Sequence, residues 1–189
     1  MLRVIVGAGP VQRDGWISLQ RDDLRIEDCA QWAGLFRPSS IDAILTEHTL
    51  EHLTSWEASL AVRNFRRYLK DDGYVRCAVP DGFHPSPAYL NWVAPGSDGE
   101  CWLQSFRDAS EPGHKTLWNY ITLSALFQSQ GFAIILREWF DEYGLFHKCE
   151  WSTEHGYIRR CQGCPWSNLL SFIVGAPYTS LVIDAIKVA

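Results

Sequence analysis

The chain has 189 residues, of which 47% are hydrophobic and 21% charged. This is the balance of one ordinary globular domain, and it excludes a disordered or fibrous chain. The formal net charge of −5 argues against nucleic acid as a partner, since nucleic-acid-binding domains carry basic surfaces. No stretch approaches the roughly 20 apolar residues that span a bilayer. We therefore expect a cytoplasmic protein without a nucleic-acid or membrane partner, and the sequence leaves its oligomeric state open.

Short apolar runs alternate with helical periodicities along the chain. The predicted strands are Leu2–Val6, Trp16–Leu19, Ile41–Leu45, Tyr74–Val79, Phe132–Trp139 and Ser180–Val188. The predicted helices are Ile26–Phe36, Ala58–Leu69 with a stop before Gly73, and Thr116–Gln130. This alternation predicts an α/β domain with a mainly parallel sheet. Only about ten residues separate the first two strands, too few for a full crossover helix, so we expect that helix to be shortened or lost.

Polar and glycine-rich segments follow the first four predicted strands, where a parallel α/β sheet binds its ligands. These segments are Gly7-Ala8-Gly9-Pro10, Gln20, Glu47-His48 and Asp81. Gly7 and Gly9 allow a sharp turn and a close approach of a ligand to the backbone. A glycine pair by itself is weak evidence of a binding site, since such pairs often mark an ordinary strand end.

Four motifs in this order carry a family resemblance. They are GAGP at 7–10, GWISLQ at 15–20, IDAILTEHTLEHL at 41–53 and YLKDDGYVRCAVPDG at 68–82. Together they resemble the class I S-adenosylmethionine-dependent methyltransferases, in particular a small, type 11-like bacterial group of predicted methyltransferases. The segments at 113–132 and 138–151 resemble the same group.

The resemblance implies a Rossmann-like three-layer sandwich whose last strand is antiparallel. It also implies S-adenosylmethionine as cofactor and methyl transfer to a small O or N acceptor. The cofactor-binding residues implied by the motifs are Gly7, Ala8, Gly9, Pro10, Gln20, Glu47 and His48.

Gln20 departs from the family pattern, which usually has an acid at the end of the second strand to bind the ribose hydroxyls. A glutamine can hydrogen-bond a diol but lacks charge assistance, worth about 1 kcal/mol. Asp22 or Asp23 is an alternative ribose ligand. The shortened glycine turn and Gln20 together motivate a second hypothesis, in which the chain is a catalytically silent, methyltransferase-like binding module.

The segment His48-Thr49-Leu50-Glu51-His52 is the densest polar cluster and has the form H-x-x-E-H. On a helix, residues i, i+3 and i+4 share one face, so His48, Glu51 and His52 could hold a divalent metal. The segment also resembles the metal-binding E-x-x-E-H stretch of ubiquinone-pathway O-methyltransferases. A third hypothesis is therefore a metal-dependent hydrolase with these three ligands. Alternatively, Glu51 and His52 are packed polar groups beside the cofactor.

The six cysteines are expected to be thiols, as is usual inside cells. Cys161 and Cys164 form a lone C-x-x-C, and Cys149, His147 and His155 lie nearby in sequence, so a zinc site is an alternative to independent thiols.

Acceptor recognition is expected from two insertions, 83–114 and 140–178, within a single domain at 1–189. Candidate catalytic groups in or beside them are Asp81, His84, His114 and His147, because an acceptor often needs a general base that titrates near neutral pH. Asp141 and Tyr143 are further candidates. Trp92 and Trp102 are expected to line the acceptor pocket, whereas Trp56, Trp118 and Trp139 are expected to lie in the core.

Overall fold

The computed structural model describes residues 1–7, 9, 11–96, 113–163 and 179–188. Ala8, Pro10, Trp102 and Cys164 lie outside the described residues. Seven strands form one sheet, in the order β2-β1-β3-β4-β7-β5-β6. The strands are β1 (Arg3–Val6), β2 (Ile17–Leu19), β3 (Ile41–Glu47), β4 (Leu69–Val79), β5 (Phe132–Phe140), β6 (Phe146–Lys148) and β7 (Leu181–Lys187).

The sheet is parallel at one end and antiparallel at the other. β1 pairs in parallel with β2 and β3, and β3 pairs in parallel with β4. β7 is antiparallel to β4 and to β5, so β5 runs in the same direction as β1 to β4. The predicted Rossmann-like α/β fold with an antiparallel last strand is therefore confirmed. No helix is present among the described residues between β1 and β2, which confirms that the first crossover is shortened.

Helices cover one face of the sheet: α1 (Cys29–Leu35), α2 (Ser55–Tyr68) and α4 (Tyr120–Ser129). The start of α2 is fixed by a capping box, because Thr54 accepts from the Glu57 amide while Glu57 accepts from the Thr54 amide. Its apolar stripe packs Ala61 and Phe65 into the main core against β-strand residues. None of the described helices is long and apolar enough to cross a membrane.

The opposite face is covered by residues 149–163, which we call the covering segment. Ile5, Leu45, Ala78 and Val182 point to this face, because side chains alternate along a strand, and Ile158 of the covering segment packs on them. Within the described part of the chain this segment takes the place of a second helical layer. The three layers are thus helices, sheet and covering segment.

A buried ion pair fastens the covering segment to the sheet. Arg76 of β4 makes a bidentate pair with Asp184 of β7, at 2.7 and 2.8 Å. Its Nη1 also donates to the carbonyl oxygens of Ser152 and Gly156, both at 2.7 Å. Arg137 of β5 donates to the same carboxylate at 2.8 Å. Every charge of this network therefore has a partner, which is the condition for burying it.

Several predicted boundaries differ from the observed ones. β4 begins at Leu69, five residues before the predicted strand, and its pairing with β3 is shifted between Ile41 and Ala43 by a bulge. Asp72 takes a positive φ of 62° there. The sequence missed α3 (Pro87–Val93) and β6.

The tryptophans expected in the core divide into three cases. Trp118 is buried, as predicted, and Trp139 is half-buried against the core. The prediction for Trp56 is wrong, because its side chain lies in the first turn of α2 and is 71% exposed.

Candidate active site

The carboxyl ends of β1 to β4 meet at one edge of the sheet, because these four neighbouring strands run in the same direction. The glycine turn, Gln20, the Glu47-His48 pair and Asp81 all follow these strands. The fold therefore brings the predicted cofactor-binding segments to a common edge.

The glycine turn after β1 requires glycine for two reasons. Gly7 and Gly9 have positive φ values of 64° and 52°, a backbone conformation that residues other than glycine rarely adopt. A Cβ on Gly7 would also collide with Thr49, whose Cγ2 would lie 2.7 Å away. At Gly9, by contrast, a Cβ would meet nothing within 4 Å among the described residues, so this side of the turn is open.

Gln20 is tied to the glycine turn. Its side-chain amide donates a hydrogen bond to the carbonyl oxygen of Gly9. Its main-chain N–H donates to Asp23 Oδ2 at 2.8 Å, so the carboxylate of Asp23 caps the end of β2. The amide thus joins β1 and β2 at the position where the sequence resemblance predicts an acid.

Glu47, the last residue of β3, holds the covering segment at this edge. Its two carboxylate oxygens accept from the main-chain amides of Arg160 at 2.9 Å and Arg159 at 3.2 Å. The sequence did not indicate this role, because main-chain amides carry no residue-specific signal.

His48 has the left-handed backbone conformation, with φ of 54°. Its ring Nε2 lies 2.7 Å from Ser180 Oγ, and its Nδ1 lies 3.1 Å from Glu51 Oε1. Burial of the ring, together with the charge of Arg160, lowers the pKa of His48 below its usual value. Both ring nitrogens therefore face protein partners.

The predicted metal set of His48, Glu51 and His52 is rearranged in the structure. The expected helix is absent: residues Leu50–His52 form a three-residue 3₁₀ turn, and His48 precedes it. His114 lies here instead, its ring centroid 5.1 Å from that of His52. One ligand atom from each of Glu51, His52 and His114 lies within 4.8 Å of the others. The missing helix also removes the support that the hydrolase hypothesis needs.

Asp81 and His84 are buried beneath the edge, at 0% and 1% exposure. Asp81 accepts from the amides of Phe83 and Phe140, at 2.9 and 2.8 Å, and so joins the ends of β4 and β5. Burial raises the pKa of Asp81 to about 6, against the effect of these two hydrogen bonds. The His84 ring stacks on Tyr89 with centroids 4.0 Å apart.

His147 lies on the β5–β6 hairpin. Its Nε2 is 2.7 Å from Asp141 Oδ2, and its ring stacks on Trp139 with centroids 5.0 Å apart. The hydrogen bond from His147 lowers the pKa of Asp141. Because β4, β7 and β5 lie between β3 and β6 in the sheet, His147 of β6 is about 19 Å across the sheet from β3. The four candidate catalytic residues therefore do not form one cluster.

The cysteine prediction is partly wrong. Cys29, Cys77 and Cys149 are free thiols, but Cys161 is disulfide-bonded. A disulfide sulfur is not a thiolate and cannot serve as a zinc ligand in this state. The structure therefore gives no support to the C-x-x-C zinc alternative at Cys161.

A family model described as a methyltransferase domain matches residues 5–137. The chain belongs to the methyltransferase domain family. The match includes the end of β1 and all of β2, β3 and β4, and with them the glycine turn, Gln20 and the Glu47-His48 pair. A comparison with curated proteins finds no match.

Solved methyltransferase structures share the fold of this methyltransferase domain. A SAM-dependent methyltransferase from Archaeoglobus fulgidus is 12% identical, with 98% of this chain and 86% of that chain covered and a TM-score of 0.55. A putative S-adenosylmethionine-dependent methyltransferase from Listeria monocytogenes is 12% identical, with 100% and 91% covered and a TM-score of 0.55. The 1,6-didemethyltoxoflavin-N1-methyltransferase of Burkholderia thailandensis, solved with 1,6-didemethyltoxoflavin and S-adenosylhomocysteine, is 10% identical, with 100% and 71% covered and a TM-score of 0.52.

Proposed function

We propose that the protein transfers a methyl group from S-adenosylmethionine to a small O or N acceptor. The observation that carries the proposal is the open glycine turn at the shared edge of four parallel strands, in a chain of the methyltransferase domain family. A turn of this kind lets a ligand approach the backbone closely.

The proposed cofactor-binding edge consists of Gly7, Ala8, Gly9, Pro10, Gln20, Glu47 and His48, of which the first five are proposed to contact the cofactor and the last two to shape the edge. The open side of Gly9 provides room for a ligand, and Gln20 Oε1 can accept from a ribose hydroxyl while its NH₂ group holds Gly9. Glu47 and His48 act differently: Glu47 positions the covering segment, and His48 bridges the end of β3 to Ser180.

The bound cofactor would supply an electrophilic methyl group, and the protein's task is to align it with the acceptor. His147 is proposed as a proton acceptor because Asp141 fixes its ring and 41% of its side chain is exposed. His114 is also partly exposed. Asp81 and His84, which are buried, are proposed to position the ends of β4 and β5 instead.

The acceptor side is proposed to be built by the two insertions, 83–114 and 140–178, of a single domain. Trp92, half-buried beside Tyr89 and Val93, belongs to the first of these segments. Trp102 is proposed to accompany it. Together they would supply flat apolar surface for the acceptor.

A catalytically silent binding module is the second candidate. Two contacts favour it. The Gln20 side-chain amide already donates to the carbonyl oxygen of Gly9, and the Glu47 carboxylate already accepts from the main-chain amides of Arg159 and Arg160. In this interpretation both polar groups at the edge serve the protein's own structure rather than a cofactor.

Calorimetric titration with S-adenosylhomocysteine distinguishes the two candidates. Methyl transfer predicts saturable heat for the native chain and its loss in Gly9→Trp, which fills the open side of the turn. Gly15→Trp is the matched control, since Gly15 also has a positive φ and open space around it. A native chain that gives no heat at about 1 mM ligand, while Gln20→Asp does, would establish the silent module.

A further inference from the structure

We propose that Glu51, His52 and His114 form a binding site for one divalent transition-metal ion of the zinc type. Their potential ligand atoms lie within 4.8 Å of one another, a spacing that a single ion can bridge with small side-chain movements. The site differs from the set that the H-x-x-E-H spacing suggests, because His114 comes from a distant part of the chain and replaces His48. The inference does not rest on the proposed methyl transfer, although His114 is also one of the four candidate catalytic residues of that proposal.

The carboxylate of Glu51 provides the strongest indication of a ligand. Glu51 is 0% exposed, and neither of its carboxylate oxygens has a hydrogen bond of good geometry within the part of the chain described. On the Oε1 side, His48 Nδ1 lies 3.1 Å away. A buried carboxylate without hydrogen bonds is costly, and a cation bound at Oε2 would satisfy it.

His114 is held in place by its surroundings. Its Nδ1 lies 3.0 Å from the carbonyl oxygen of Val93, so the neutral ring donates there and carries its lone pair on Nε2. The amides of Lys115 and Thr116 donate to the carbonyl oxygen of Glu51, at 2.7 and 3.1 Å. These main-chain bonds bring the ring to the 3₁₀ turn. A carbonyl that accepts from the second nitrogen of an imidazole is the usual support of a metal-ligating histidine.

The set of donor atoms selects the kind of ion. Two imidazole nitrogens and one carboxylate oxygen suit Zn²⁺ and its transition-metal neighbours, whereas Mg²⁺ and Ca²⁺ prefer oxygen ligands throughout. Three protein ligands leave a fourth tetrahedral position for water or another oxygen. Both rings are partly exposed, so an ion can enter from solvent.

Zinc binding to the untagged, chelator-stripped full chain tests the site, with Zn²⁺ titrated by calorimetry and Co²⁺ followed by absorption. We expect one equivalent to bind. Loss of a group that only supports a metal ligand weakens metal binding by up to about 100-fold. Because His114 is itself a proposed ligand, His114→Ala should weaken zinc binding by more than about 100-fold. His155→Ala, which removes an exposed histidine elsewhere, should bind zinc like the native chain.

The other variants separate the two ligand sets. His48→Gln should weaken zinc binding less than His114→Ala, because His48 contacts Glu51 without being a ligand. The proposal would be overturned if the native chain did not bind zinc, if His114→Ala bound it unchanged, or if His48→Gln lost as much affinity as His114→Ala. It would also be overturned by a strong thiolate-to-cobalt absorption band, since that band would mean that cysteines hold the ion. Glu51→Gln provides a second ligand variant, and circular dichroism confirms that each variant is folded. The S-adenosylhomocysteine titration is separate, so either proposal can fail alone.

Discussion

Gln20 donates a side-chain hydrogen bond to the carbonyl oxygen of Gly9, so the end of β2 is joined to the turn after β1. A carboxylate could not make this bond, because it is an acceptor only. An amide in place of the acid that the resemblance predicts thus has a structural consequence within the turn itself, and it makes Gln20 a supporting residue as well as a proposed cofactor ligand.

Replacing the amide by an acid of the same shape tests this bond. Gln20→Glu should lower the free energy of unfolding by about 0.5 to 1 kcal/mol, the range for losing one exposed hydrogen bond. The measurement is urea unfolding at pH 7. Gln128→Glu on the exposed side of α4 is the control and should change stability by less than about 0.5 kcal/mol. Equal effects of the two changes would contradict the role of the bond.

The contact between Gly7 and Thr49 makes a second, larger prediction. Gly7→Ala should lower the free energy of unfolding by more than about 2 kcal/mol, since it adds a collision with Thr49 to the cost of a positive φ. Gly15 also has a positive φ, but a Cβ there would meet nothing within 4 Å. Gly15→Ala therefore measures the cost of the backbone strain alone, and the difference from Gly7→Ala measures the collision. In the double variant with Thr49→Ala, part of the loss should return. If the double-mutant cycle showed additive effects of Gly7→Ala and Thr49→Ala on the free energy of unfolding, the contact would be refuted.

The buried carboxyl of Asp81 makes stability depend on pH. Its pKa rises from an ordinary 3.8 to about 6 in the folded protein, so the folded state binds the proton more tightly. The protonated group therefore contributes stability below about pH 4 that is lost as the pH rises through about 6. Between pH 4 and pH 7 the free energy of unfolding should fall by about 2 kcal/mol more in the native chain than in Asp81→Asn. If the free energies of unfolding of the native chain and of Asp81→Asn changed with pH in parallel, the role of Asp81 would be contradicted.

Much of the fold could be predicted because its signals are local. Among the residues that the structure describes, the apolar runs predicted every strand except β6. The periodicity of Ala58, Ala61, Val62 and Phe65 predicted α2. The short interval between β1 and β2 predicted the missing crossover helix. These features depend on residues close together in sequence, whose patterns reflect burial directly.

The site was less predictable because its contacts join distant residues. Glu47 binds amides 112 and 113 positions away, and any residue could supply those amides. His114 reaches the 3₁₀ turn through main-chain bonds to Glu51, which no spacing rule encodes. The H-x-x-E-H motif predicted a helical arrangement, but His48 takes a positive φ and turns towards Ser180 instead. The covering segment has no periodicity that identifies it as a layer.

The ion pair between Arg76 and Asp184 should dominate the stability of the covering segment. Arg76→Met should lower the free energy of unfolding by about 3 to 5 kcal/mol, because it leaves a buried carboxylate short of a partner and frees two carbonyl oxygens. Lys70→Met, which breaks a surface pair with Asp42, is the control and should cost about 1 kcal/mol or less. Chemical unfolding measures both. Similar losses would show that burial of the pair is not decisive.

NMR titration with S-adenosylhomocysteine shows whether the edge formed by β1 to β4 binds the cofactor. We expect saturable shifts of the amide resonances of Gly7, Gly9, Gln20 and His48, with little change at Phe146–Lys148 on the hairpin. The absence of saturable shifts, or shifts confined to the hairpin, would contradict it.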